Sequence, residues 1–175
     1  GMNEVIVNSP LLEDYIRTTY PNYKITSSTC KRITDPEKLK EELEKDYSIV
    51  VLDYDFNNQF DILEKLPQKE KMEILVNACC DAACPRRTEH YRILGMQQIA
   101  VCEHMAKNTN ERFNLRDYGV PDMYCKCADR TILDVKQLST YISPDDIWEK
   151  YVPMGFNQFK IEGRTTTRLN LFETY

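Results

Sequence analysis

Histidine is nearly absent from this chain, with only His90 and His104 among 175 residues. A zinc protease centre draws on several imidazoles, and a cysteine protease needs one oriented as base beside its thiolate, so both routes to peptide cleavage start with little material. No G-x-S-x-G turn is present to carry a serine nucleophile. Long apolar runs are missing as well: none approaches the roughly 20 residues that a bilayer crossing takes, and no secretory leader pattern is visible. The expectation is a cytoplasmic protein without a membrane contact. Basic charge is not in excess, since 23 Lys and Arg stand against 28 Asp and Glu for a net charge of −5. That balance does not indicate a broad nucleic-acid surface. Internal repeats and low-complexity stretches are absent too.

What is present is thiol. Seven cysteines occur, an odd number, and in a reducing compartment they point to metal binding or catalysis rather than to a disulfide framework. Three of them fall in the six positions 79–84, inside "VNACCDAACPRRTEHY".

Around that run the chain alternates short apolar segments with amphipathic ones. "EVIVN" is followed by Leu11, Leu12, Tyr15, Ile16 and Tyr20 at helical spacing, which makes one βα unit. "YKITSS" leads into "TDPEKLKEELEKD", where Thr34 and Glu37 have the spacing of a capping box. "YSIVVLDYD" is the most strand-like segment, and "NNQFDILEKLP" after it reads as helix. "KMEILVNA" then runs into the cysteine-rich loop and a helix from about Arg86 to Met105. Residues 107–142 have no clear period. Ser143 and Pro144 open another helix, "QFKIEGR" makes a fifth strand, and "TTTRLNLFETY" reads as a final helix. This order predicts one α/β domain over residues 1–175 with a mainly parallel sheet. A complete eight-stranded barrel takes about 200 to 250 residues, so the alternatives are an open five-stranded sheet and a barrel fragment.

The thiols begin where the fourth strand stops. Cys80 and Cys84 form C-x3-C there, Cys102 follows at the far end of the next helix, and Cys125 and Cys127 lie beyond. Thiolates of this number suit an iron–sulfur cluster or zinc. The spacing alone leaves buried free cysteines equally open.

"ILVNACCDAACPRRTEHY", with Asn77, Cys80, Cys84, Pro85, Arg87 and His90, resembles the peptidase U family of collagenase-like proteins, which includes ubiquinone-biosynthesis and RNA-hydroxylating relatives. "GFNQFKIEGR", Gly155 to Arg164, is similar to a second hallmark of that family. The resemblance runs across essentially the whole chain. It implies the later part of a TIM-type (β/α) barrel lacking its first strands, and a four-iron, four-sulfur cluster held by Cys80, Cys84, Cys102 and either Cys127 or Cys125. The function it implies is an iron–sulfur protein supporting a hydroxylation reaction. A peptidase or other hydrolase, as the family name says, and a structural zinc domain are the alternatives.

Alternation in "FKIEGR" puts Phe159 and Ile161 on one face and Lys160, Glu162 and Arg164 on the other, where they would meet a substrate at the barrel top. Asp53 ends the third strand in the same way, and Asp55 is placed to cap the helix that follows. Arg86 and Arg87 offset thiolate charge or hold an anion, and the two histidines read as hydrogen-bonded helical residues. An unclosed parallel sheet exposes a strand edge, so self-association or a partner chain is expected to cover it.

Overall fold

The computed structural model of the chain describes residues 3–107 and 110–163. It divides into a larger unit, Gly1–Ala83 with Asp129–Tyr175, and a smaller one, Cys84–Ala128. The helix expected over residues 165–175 and the side chain of Arg164 lie outside the described residues.

The larger unit holds five short strands: β1 (Glu4–Val7), β2 (Lys24–Ser27), β3 (Ile49–Val51), β4 (Met72–Leu75) and β5 (Gln158–Lys160). They form one sheet in the order of the sequence, and every pairing is parallel. The result is an α/β architecture, a partial (β/α) barrel whose sheet is not closed among the described residues. Register separates the two faces. Val7, Ile25, Val50, Met72 and Ile74 point to one side and are buried there against Ile16 of α1 (Pro10–Thr19) and Leu39 and Leu43 of α2 (Pro36–Glu44). Leu63 of α3 (Phe60–Leu63), Tyr151 and Phe156 complete this core, and Phe159 and Ile161 pack against it as the alternation in β5 predicts.

The other face is of different character. Glu4, Ile6, Thr26, Glu73 and Lys160 share it, with Ile6 56% exposed. Polar groups on that face pair with one another: Thr26 Oγ1 donates to Glu4 Oε1 at 2.6 Å, and Lys160 Nζ meets Glu73 Oε1 at 2.9 Å. A row of paired polar side chains is what the lumen side of a barrel carries.

Local chemistry starts several of the helices. Ser9 and Pro10 open α1, with Leu12 N donating to Ser9 Oγ at 3.4 Å. The cap of α2 is Asp35 rather than Thr34: its Oδ1 accepts from Glu37 N at 2.8 Å and Lys38 N at 3.2 Å, which a carboxylate does better than a hydroxyl. Ser143 caps α6 (Pro144–Asp146) in a full capping box with Asp146, and a π-turn over Ile147–Tyr151 follows. Asp55 does not cap a helix. Asp53 does that work, accepting from Asp55 N at 2.9 Å at the head of the 3-10 turn Tyr54–Phe56.

The crossover from β4 to β5 is the long one, and the smaller unit is inserted into it. Its return leg is stitched down by two asparagines. Asn57 Nδ2 donates to Leu75 O at 2.8 Å and Thr140 O at 2.6 Å, while Asn58 Nδ2 donates to Ser139 O and Tyr141 O at 2.9 and 2.8 Å. Asn58 holds φ at 62°, a left-handed conformation its short side chain tolerates. Ile142 N then bonds Val76 O at 2.9 Å, and α5 (Ile132–Val135) packs Ile132 and Val135 with Cys79 and Tyr141.

The smaller unit is α4 (Arg87–Ala106) with irregular chain and short 3-10 turns after it. Ile93, Ala100 and Val120 form its core with Met96, Phe113 and Tyr118. His104 is a structural residue here, with Nδ1 2.9 Å from Tyr118 Oη and its ring against Phe113.

Thr140 carries the one defect in the return leg. Its Oγ1 is buried without a hydrogen-bond partner. A buried hydroxyl left unpaired costs roughly 1–3 kcal/mol, so Thr140→Val, which keeps the shape and removes the hydroxyl, should hold or raise the urea unfolding midpoint. A loss of stability above about 1 kcal/mol would show that the hydroxyl is bound.

Candidate functional site at the strand ends

The face that carries paired polar groups ends, at the C-terminal tips of the strands, in Asp53, Asn77 and Glu162. Parallel α/β sheets place their chemistry at that end. Asn77 and Glu162 lock the tips of β4 and β5 together: Glu162 N donates to Asn77 Oδ1 at 2.9 Å, and Asn77 Nδ2 donates to Glu162 O at 3.1 Å. The Glu162 carboxylate then turns to the cysteine-rich loop, where Oε1 accepts from Cys79 N at 2.8 Å.

That loop is fastened from two further directions within the larger unit. Arg130 donates to Cys79 O and to Asp81 Oδ1, each at 2.6 Å. Asp55 Oδ1 accepts from Ala83 N at 2.8 Å, which holds Ala83 in the left-handed region at φ 49°. An alanine adopts that conformation only under constraint. Arg32, itself at φ 57°, bridges the tips of β2 and β3 by pairing with Asp53 at 2.5 Å and Asp55 at 3.2 Å. A floor of charged and amide groups thus spans four strand ends and fixes the backbone around Cys79 and Cys80.

Of the residues singled out in the sequence, Asp53, Lys160 and Glu162 therefore lie on this face, each in contact with a neighbouring side chain or the loop backbone. Arg32, Asn77 and Arg130 join them. Composition gave no hint of Arg32 or Arg130, whose partners are tens of residues away. Asn77 stood inside the cysteine motif without an assigned role.

The thiols have separate surroundings. Cys80 packs against Tyr54, Leu75 and Ala78, whereas Cys79 packs with Ile132 and Val135, so the two neighbours point into different clusters. Cys84, Cys102, Cys125 and Cys127 belong to the smaller unit, Cys102 exposed and Cys127 buried. Arg87 is buried as well, while Arg86 is exposed and donates to Tyr124 O at 3.3 Å. Among the described residues no three His, Cys, Asp or Glu side chains gather as a metal would require. Of the expected ligand set, Cys80 belongs to the larger unit and Cys84, Cys102, Cys125 and Cys127 to the smaller.

A second polar assembly lies between α1 and α2, on the helix side of the sheet. A cleft of about 620 Å3 there is lined by Asn8, Glu13, Arg17, Cys30, Lys31 and Glu42 among others. Its charges satisfy one another. Lys31 Nζ reaches Glu42 Oε1 at 2.8 Å and Tyr47 Oη at 2.7 Å, Tyr47 Oη donates to Glu13 Oε2 at 2.7 Å, and Lys45 Nζ meets Glu42 Oε2 at 2.6 Å. Burial alone would raise the Glu42 carboxyl, but hydrogen bonds from Lys31, Lys45 and Ser27 outweigh it and hold it at about 2. This is a structural ion cluster.

Comparison with known proteins adds one relative. Over 169 residues, 94% of this chain, the sequence is 26% identical to a protein of Methanocaldococcus jannaschii described as an uncharacterized protease. The match covers 46% of that protein, so the chain spans about half the length of the curated relative it matches. No protein-family model matches the chain, and no solved structure matches it.

The ion cluster sets an acid limit on stability. Glu42 titrates at about 2 in the fold against 4.5 as the ordinary value. Its contribution is therefore fully present above pH 4.5 and disappears as pH falls towards 2. Urea midpoints measured across that window should drop steeply for the wild type and less steeply for Glu42→Gln. Parallel curves for the two proteins would remove Glu42 from the account.

Proposed function

We propose that this chain is part of a peptidase-like hydrolase whose substrate lies over the C-terminal ends of β2 to β5. The observation that carries this reading is the likeness to a protein described as a protease along 94% of the chain. The strand-end floor supports it chemically. Asp55 and Glu162 are partly exposed carboxylates at the expected end of the sheet, able to orient and deprotonate water for attack on an amide, while Asp53, buried against Arg32, positions that guanidinium. Arg32 and Lys160 supply positive charge for a developing oxyanion or a substrate carboxylate.

A second reading is favoured by the C-x3-C-P run that follows β4. In it the protein is an iron–sulfur member of the peptidase U family that supports a hydroxylation, with zinc in a structural role as the variant. Cys80, Cys84, Cys102 and Cys127 or Cys125 are the thiolates it would use, and electron transfer is the chemistry a cluster supplies. The peptidase reading takes no step through such a group.

One experiment separates the two. The chain is prepared both in air and anaerobically with iron and sulfide, and each preparation is assayed on denatured casein and fluorogenic peptides. The peptidase reading expects saturable cleavage by both preparations and a loss of roughly 100-fold or more in Asp53→Asn. Absence of cleavage from both, together with tightly bound iron and sulfide that Cys80→Ser removes, would overturn it in favour of the second.

A further inference from the structure

The carboxylates at the strand-end rim of the larger unit are not equally committed. Asp53 uses both oxygens: Oδ1 accepts from Asp55 N at 2.9 Å, and Oδ2 pairs with Arg32 at 2.5 Å. Asp55 does the same, with Oδ1 on Ala83 N at 2.8 Å and Oδ2 on Arg32 at 3.2 Å. Asp81 is bound to Arg130 at 2.6 Å. Glu162 differs. Its Oε1 accepts from Cys79 N at 2.8 Å, and its Oε2 has no hydrogen-bond or ionic partner among the described residues. The side chain is half-buried, so that second oxygen is within reach of solvent and substrate.

A glutamate arm ordinarily samples many rotamers. Here it is held at both ends. Asn77, fully buried, accepts from Glu162 N at 2.9 Å and donates to Glu162 O at 3.1 Å, while the Cys79 amide holds one carboxylate oxygen. Asn77 follows β4 and Cys79 lies two residues on, so one short stretch of chain fixes both the backbone and the head of Glu162. Lys160, two residues earlier on the same face, is bonded to Glu73 rather than to Glu162. One oxygen anchored and the other presented is the arrangement a general base needs.

We infer that Glu162 is the general base of the proposed hydrolysis and that Asn77 is its positioning residue. The inference rests on the peptidase reading and assigns within it a role that Asp55 and Glu162 could each take. Asp55 is the poorer base, because both of its oxygens already tie the rim together. In the step, Glu162 Oε2 takes a proton from water as the water oxygen bonds to the amide carbonyl carbon. The C–N bond then breaks, and the same proton passes to the departing nitrogen. Water is the sole co-substrate, and Glu162 ends the cycle as the carboxylate it began. Asn77 touches no substrate and acts through the backbone of Glu162.

Steady-state cleavage of a fluorogenic peptide by the full chain tests both assignments. Glu162→Gln keeps an oxygen for the Cys79 N–H and removes only the basic one. It should lower kcat roughly 100-fold or more and leave KM within about twofold, with hydrogen exchange at the Cys79 amide unchanged. Asn77→Ser breaks the clamp and should lower kcat about tenfold at unchanged KM, yet have no further effect in the Glu162→Gln background, where the group it positions is gone. Asn77→Asp, which keeps the acceptor and loses the donor, serves in its place where Asn77→Ser does not fold. Equal losses in the two backgrounds would make Asn77 purely structural and overturn its assignment. Cleavage by Glu162→Gln within about tenfold of the wild type overturns the assignment of the base and leaves the peptidase reading standing. A loss accompanied by fast exchange at Cys79 overturns it as well, because the carboxylate would then be a structural tie. A wild type that cleaves no peptide overturns the peptidase reading and this inference together.

Discussion

Parallel strands that pair in the order in which the chain makes them are joined by crossovers of one hand, and that places the connecting helices on a single side of the sheet. The rest of this structure depends on that constraint. Ile16, Leu39, Leu43 and Leu63 pack with the strand residues of one face into one core. The opposite face receives no helix from the β1 to β4 crossovers and carries paired polar side chains beside buried Val51 and Leu75. A doubly wound sheet would have buried both faces in apolar contacts. The polar pairs Glu4 with Thr26 and Glu73 with Lys160 mark the second face as the inside of a barrel sector.

The same constraint concentrates function. With all strands pointing one way, their C-terminal ends collect on one rim, and there the loop after β4 is tied by Glu162, Arg130 and Asp55. Hydrogen bonds to charged groups contribute roughly 1.5–3 kcal/mol each. Three of them outweigh the cost of about 1–3 kcal/mol for holding Ala83 in the left-handed region. The loop is therefore held in one conformation, which is the condition for presenting Cys79 and Cys80 at fixed positions.

How much of this the sequence revealed follows from the range of the interactions. Ser143 with Asp146 is a contact of three residues, and it was legible. So were the five strands, whose β-branched runs and alternation are local, and the placement of Phe159 and Ile161 on the core side. The pairing of Arg32 with Asp53 spans 21 residues and that of Glu162 with Cys79 spans 83, so no local pattern announces them. Residues 107–142 show no period because the described ones, 110–142, form short 3-10 turns and a one-turn helix, which carry no sustained repeat. Thr34 with Glu37 has the spacing of a capping box, yet Asp35 is the cap, because its carboxylate accepts from both Glu37 N and Lys38 N. Alternation at the end of β4 turns Cys79 and Cys80 to opposite sides, and they enter different clusters, Cys79 with Ile132 and Val135 and Cys80 with Tyr54 and Leu75.

The central claim is that the loop after β4 is fixed to the strand ends by side-chain carboxylates and an amide. Amide hydrogen exchange resolved at Cys79, Ala83 and Glu162 tests it most directly, because these N–H groups are donated to Glu162, Asp55 and Asn77 at 2.8, 2.8 and 2.9 Å. The account predicts exchange slowed at all three sites by roughly 100-fold or more relative to an unstructured chain, comparable to the amides of β4. Exchange at Cys79 and Ala83 as fast as in an unstructured chain, with β4 still protected, would contradict it.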